Sequence, residues 1–157
     1  MNSGLAIGLA FGIGVVAGLR SMTAPALACW AVHLGWLRPG PGLVWMGSRL
    51  AVAVFTLGAM GELVADKLPI VGKRTAPGPL VARIVLGGLS GAAIGATAGD
   101  ATTLGAVAGG IGGIAGAFAG YHARASLVKG LGVRDVVIAL LEDAVAIIAG
   151  LFIVSRL

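Results

Sequence analysis

The sequence predicts an all-α bundle of five or six membrane-spanning helices, and three observations carry that prediction. First, 58% of the 157 residues are hydrophobic and only 11% are charged, whereas a soluble domain carries about 25% charged residues. Second, the apolar residues, with a mean hydropathy of +1.03 overall, fall into runs close to the ~20 residues that a helix needs to cross the hydrocarbon core. Third, the chain holds 28 glycines, many spaced by four, the pattern that lets membrane helices approach closely. None of the runs alternates polar with apolar as a transmembrane barrel strand must, and helices satisfy their own backbone groups in lipid. Disorder requires low hydrophobicity and is excluded. The length suits one domain over residues 1–157.

The elements follow in order. Gly4 to Leu19 is uncharged and ends at Arg20. A cleaved leader is the competing account of this run, since Ala24-Pro25-Ala26 resembles a small-residue cleavage site, but Met1-Asn2-Ser3-Gly4 lacks the basic residues that a signal peptide carries. Ser21 to Leu37 is uncharged apart from His33 but contains Pro25, which suits a break. It is read either as a full span or as a re-entrant segment. Arg49 to Lys67 is apolar until Glu62 and Asp66. After a polar link reaching Pro79 come Leu80 to Gly99 and Thr103 to Tyr121, separated by Asp100-Ala101-Thr102. Asp135 to Val154 is last and carries Glu142 and Asp143.

Glycine and alanine dominate the middle of the chain. Gly91, Gly95 and Gly99 are spaced by four, as are Gly105 and Gly109, and Gly112, Gly116 and Gly120; Gly4, Gly8 and Gly12 repeat the pattern near the start. Such stripes predict tight helix packing and offer faces for self-association, so a homo-oligomer is expected.

A weak internal repeat divides the chain at 1–77 and 78–157. A glycine-rich run precedes Arg20 in one half and Arg124 in the other, and an apolar run with embedded acids follows each. Lys67, Lys73, Arg74 and Arg83 flank one link and Arg124, Lys129 and Arg134 another. By the positive-inside rule both links face the cytoplasm. The net charge of +5 is therefore read as loops beside spans, with the lipid bilayer as the partner and no nucleic acid. A re-entrant Ser21 to Leu37 makes the repeat an inverted pair; a spanning one makes the two glycine helices point the same way.

Four acids stand in apolar runs where lipid penalises a charge: Glu62, Asp66, Glu142 and Asp143. Glu62 and Asp66 are four apart and share a helix face, while Glu142 and Asp143 point about 100° apart around theirs. Two readings stay open. In one, Glu62 and Glu142 are the principal ligands of a cation or proton site with Asp66 and Asp143 as helpers, since hard cations prefer carboxylate oxygens. In the other, the acids are ion-paired with Arg20 and Arg124 and lock the halves together. His33 and His122 lack metal-ligand spacing and read as interfacial or hydrogen-bonded. Cys29, the sole cysteine, can form no intrachain disulfide or cysteine cluster. Trp30, Trp36 and Trp45 fit an aromatic belt. There is no Gly-x-Ser-x-Gly, P-loop or His-Glu-x-x-His motif, so no catalytic residue and no cofactor is assigned.

At Gly18-Leu19-Arg20-Ser21-Met22-Thr23-Ala24-Pro25, Glu62-Leu63-Val64-Ala65-Asp66-Lys67-Leu68-Pro69 and Leu141-Glu142-Asp143, the chain resembles the DUF4126 family of small bacterial integral membrane proteins. The resemblance covers nearly the whole chain and implies a polytopic protein of the bacterial inner membrane, with Arg20, Glu62, Asp66, Glu142 and Asp143 in the family pattern. It supplies no substrate. More loosely, an acidic helix in each half is similar to small cation exporters whose repeats carry Glu-x-Gly-Asp, a spacing from which Glu62 and Asp66 depart. The expected function is a small transporter or channel for a cation or other small solute; the alternative is a non-transporting scaffold or lipid-interacting protein.

Overall fold

The computed structural model describes residues 2–65, 76–99, 101–132 and 135–157. Among them the chain forms six helices, α1 (Ser3–Leu19), α2 (Thr23–His33), α3 (Arg49–Ala65), α4 (Pro77–Ala96), α5 (Thr102–Leu131) and α6 (Asp135–Val154), with a 3-10 turn at Val44–Gly47 and no strand. Pro77–Ala96, Thr102–Gly130 and Asp135–Val154 are long and apolar enough to cross a membrane, and Ser3–Leu19 is a shorter apolar helix. The chain is an integral membrane protein on that basis, and its exposed large apolar residues, such as Leu50, Leu57 and Ile148, match a lipid-facing surface.

Helices α1, α4 and α5 form the centre, and glycine is the reason they can. A methyl added at Gly91 would sit 2.3 Å from the Gly105 carbonyl oxygen, and one at Gly14 would sit 2.1 Å from that of Gly109. Any side chain there would drive the backbones apart. Lipid tails are as apolar as side chains, so close dispersion contact has to supply the association energy. Of the expected stripes, Gly91 and Gly95, Gly105 and Gly109, and Gly112 and Gly116 lie in these contacts, whereas Gly99 meets nothing within 4 Å. The stripe near the start lies outside them: Gly8 faces open space, a methyl at Gly4 would meet only Asn2, and Gly12 lies on Ile153 of α6, while Gly14 and Gly18 pack on α5.

The same contacts fix direction. Gly87 meets Gly109, Gly91 meets Gly105 and Gly95 meets Ala101, so α4 and α5 are antiparallel. Gly112 lies on Phe11 and Val15, and Gly116 on Val15 and Gly18, so α1 and α5 run the same way. These two glycine helices are therefore not the antiparallel pair that an inverted repeat asks for. Gly12 lies on Ile153 and Arg20 on Asp143, which makes α6 antiparallel to α1.

The segment at 21–37 is helical only over Thr23–His33. Its helix α2 has eleven residues, about 16 Å at the usual rise, roughly half of the hydrocarbon core. Pro25 does not break it. As the third helical residue, it lacks an N–H only where the first turn has no acceptor for one. The stop is Gly35, at φ 76: its N–H donates to the Val32 carbonyl and that of Trp36 to the Ala31 carbonyl, the closed pair of bonds of a glycine-terminated helix. Ala24, Ala28, Cys29, Ala31, Leu37 and Met46 from this region join the apolar core.

Helix α5 continues ten residues beyond the expected end at Tyr121, to Leu131, where Gly132 at φ 63 caps it. Helix α3 lies at the periphery against α2 and the 3-10 turn; only Ala51 and Val52, both in its first turn, are buried.

Candidate functional site

Ionisable side chains from α1, α3, α4, α5 and α6 meet toward one end of the bundle. Arg20 follows the last residue of α1 in extended geometry and is fully buried. It forms an ion pair with Asp143 of α6. Arg83, in the second turn of α4, is 3% exposed, with one guanidinium nitrogen 4.0 Å from Glu62 Oε1.

Glu62, in the last described turn of α3, is seated on the link between α1 and α2. Its Oε1 accepts from the Ser21 backbone N–H and from Ser21 Oγ, both at 2.8 Å, and its Oε2 accepts from the Met22 N–H at 2.8 Å. Those donors are available because the chain leaves helical geometry at Arg20 and α2 begins only at Thr23. The N–H groups ahead of a helix have no partner of their own, and the positive end of α2 favours an anion.

Arg124 of α5 donates to Asp135 through Nε at 2.7 Å and a terminal nitrogen at 2.5 Å, and its other terminal nitrogen lies 3.8 Å from Glu142 Oε2. This fork-on-fork pairing is the geometry for which guanidinium and carboxylate are matched. Beside it, a cavity of about 200 Å³ opens between α5 and α6, lined by Leu19, Leu127, Ile138, Leu141, Val145 and the stems of Arg124 and Glu142.

The sequence-predicted residues are thus distributed over three ion-paired groups. Glu142 and Asp143 diverge as adjacent helix positions must, one toward α5 and the other toward α1. Among the described residues the guanidinium beside Glu62 is that of Arg83, which the sequence reading counted among the basic residues flanking a cytoplasmic link although it stands within the Leu80 to Gly99 run. Four apolar neighbours, Val81, Ala82, Ile84 and Val85, were the signal that Arg83 is itself a charge needing a partner inside the span. The part played by Ser21 and Met22 was signalled by Thr23-Ala24-Pro25, a helix start that leaves the preceding N–H groups free to bond a side chain. Asp66, and with it Lys67, Lys73, Arg74, Asp100 and Arg134, lies outside the described residues.

The carboxylate oxygens of Glu62 are directed at donors and a guanidinium, not at an open coordination sphere. Among the described residues no three His, Cys, Asp or Glu side chains gather as metal ligands. His33 hydrogen-bonds through Nδ1 to the Gly47 carbonyl at 2.8 Å. Trp30, Trp36 and Trp45 are exposed, and the Trp30 indole N–H donates to Thr56 Oγ1 at 3.0 Å.

A family model described as a domain of unknown function, DUF4126, matches residues 7–155. No curated protein and no solved structure matches the chain.

Proposed function

We propose that this chain, which belongs to the DUF4126 family, is a small membrane transporter whose polar centre is the ion-paired layer formed by Arg20, Glu62, Arg83, Arg124, Glu142 and Asp143. The single observation that carries this reading is the burial of Arg20 and Arg83 against Asp143 and Glu62 in apolar helices. A bundle that needed only stability would lose little, and often gain, by replacing such pairs with apolar side chains of the same volume. Ionisable groups kept inside a membrane are by default functional. Because each carboxylate already faces a guanidinium, a cation reaches it only by displacing that partner, and a proton is the smallest ion able to do so. The transported species is accordingly read as a proton, or a small solute coupled to one.

In this reading α2 together with residues 34–48 makes the second of six crossings, and the termini lie on the side opposite the basic links. The α1 face at Gly8, left open by the packing within the chain, is the small-residue surface available for a homo-oligomer, and the inner membrane of a bacterium is the expected location.

A second reading, a scaffold that moves nothing, is favoured by one specific observation: Glu62, Glu142 and Asp143 each have an arginine within 4.0 Å. Reconstitution into liposomes with an internal pH dye separates the two. Transport predicts proton flux with the intact chain that is lost in Glu62→Gln while the fold persists. The scaffold predicts no flux from either chain, and a folding defect in Arg20→Asp that Asp143→Arg repairs.

A further inference from the structure

We infer that α3 is a hinged arm whose far end is latched onto the bundle by the carboxylate of Glu62. The near end is anchored. Ala51 and Val52 are buried, Ser48 accepts from the Val52 N–H through its carbonyl and from the Ala51 N–H through its hydroxyl, and the preceding Gly47 lies against Val32 and bonds His33. The middle is tied by the Trp30 to Thr56 hydrogen bond. Beyond that point Leu57, Met60 and Val64 are exposed, Ala59, Leu63 and Ala65 are half-buried, a methyl at Gly58 would meet the flexible Met22 side chain, and one at Gly61 would meet nothing within 4 Å.

In lipid the exposed apolar face of such a helix gains little by docking, since hydrocarbon replaces the contact, and attachment falls to close packing and polar bonds. Close backbone packing is spent on α1, α4 and α5. The three 2.8 Å bonds from Ser21 and Met22 to Glu62 fasten the last described turn of α3, here the tip of the arm, to the link between α1 and α2. Arg83 is the charged group that faces Glu62 from α4; Arg20, next to Ser21 in the chain, is directed at Asp143; the titratable groups of α2 are Cys29, buried in the core, and His33, at the anchored end. Removing the negative charge from Glu62 leaves Arg83 without that counter-ion and weakens every one of the three bonds, releasing the tip while the Ser48 end stays in place. The arm is a device of the fold and stands whether or not a solute is moved, because its test reads distance and not flux.

That test is a pulsed electron-spin distance measurement in lipid nanodiscs, in a Cys29→Ala background. Labels at Val64→Cys and Val81→Cys report the tip, and labels at Leu34→Cys and Leu50→Cys report the anchored end. The latch predicts a narrow tip distribution in the parent and a broadened one in Glu62→Gln, lengthened by about 5 Å or more, one helical turn, with the anchored pair unchanged. An identical tip distribution in a folded Glu62→Gln overturns it, as does an equal change at both pairs. Should Glu62→Gln fail to fold, Ser21→Ala, which deletes one donor of three, decides: partial broadening at the tip supports the latch, and none overturns it.

Discussion

Arg20, with no exposed surface, forms an ion pair with Asp143 across α1 and α6. The two residues are 123 positions apart by subtraction of their numbers, so the pair closes the first helix on the last. Removing one partner takes this counter-ion from a buried charge, at a cost of up to about 3–5 kcal/mol. Arg20→Ala and Asp143→Ala are each expected to lower stability by that order in a denaturation series in detergent. The double variant Arg20→Met with Asp143→Leu is expected to recover most of the loss. A double variant as unstable as the sum of the singles would show that the two groups act independently.

The glycine contacts predict a graded response to added methyl groups. Gly91→Ala places a carbon where the Gly105 carbonyl oxygen allows only 2.3 Å, so α4 and α5 must separate, for a loss of about 1–3 kcal/mol. Gly8→Ala meets nothing within 4 Å and exchanges a poor helix former for the best one, a gain of up to about 1 kcal/mol. Thermal unfolding of both variants beside the parent should move in opposite directions.

Arg124 and Asp135 form the pair with the best geometry and the least expected effect on stability. The Asp135 side chain is 63% exposed, and solvent-accessible pairs contribute about 0–1 kcal/mol. Asp135→Asn should therefore change stability far less than Asp143→Asn, although both remove a carboxylate from the same helix. Equal losses in the same assay would contradict this ordering.

Cys29 is fully buried in the apolar core. A maleimide is expected to leave it unlabelled in the folded protein and to label it once denaturant opens the bundle, which gives a native readout of folding for the Arg20, Asp143, Gly91, Gly8 and Asp135 variants. Labelling of the native chain at the rate of an exposed thiol would place α2 outside the core.

Composition and spacing made the class of this protein legible before any coordinate. Hydrocarbon penalises charge and unpaired backbone so strongly that a chain this apolar has helices as its solution, and glycines spaced by four mark the central helix contacts on α4 and α5 because the geometry of one helix face is local. The short α2 was also within reach of the sequence, through Gly35, though Pro25 drew attention to the wrong end. Helix direction was left open at α1 alone: a spanning 21–37 makes α1 run with α5 and a re-entrant one makes it run against α5, and the parallel arrangement observed depends on Gly14 and Gly18 docking on α5, a choice made by fit between surfaces. Pairing of charges was decided in the same way. Sequence located Glu62, Glu142, Asp143, Arg20 and Arg124 as costly groups that require partners, but only the folded chain brings Arg83 to Glu62 and Arg20 to Asp143. Burial cost is a property of one residue and its neighbours along a helix, whereas a partner is a property of distance between helices, which no local pattern contains.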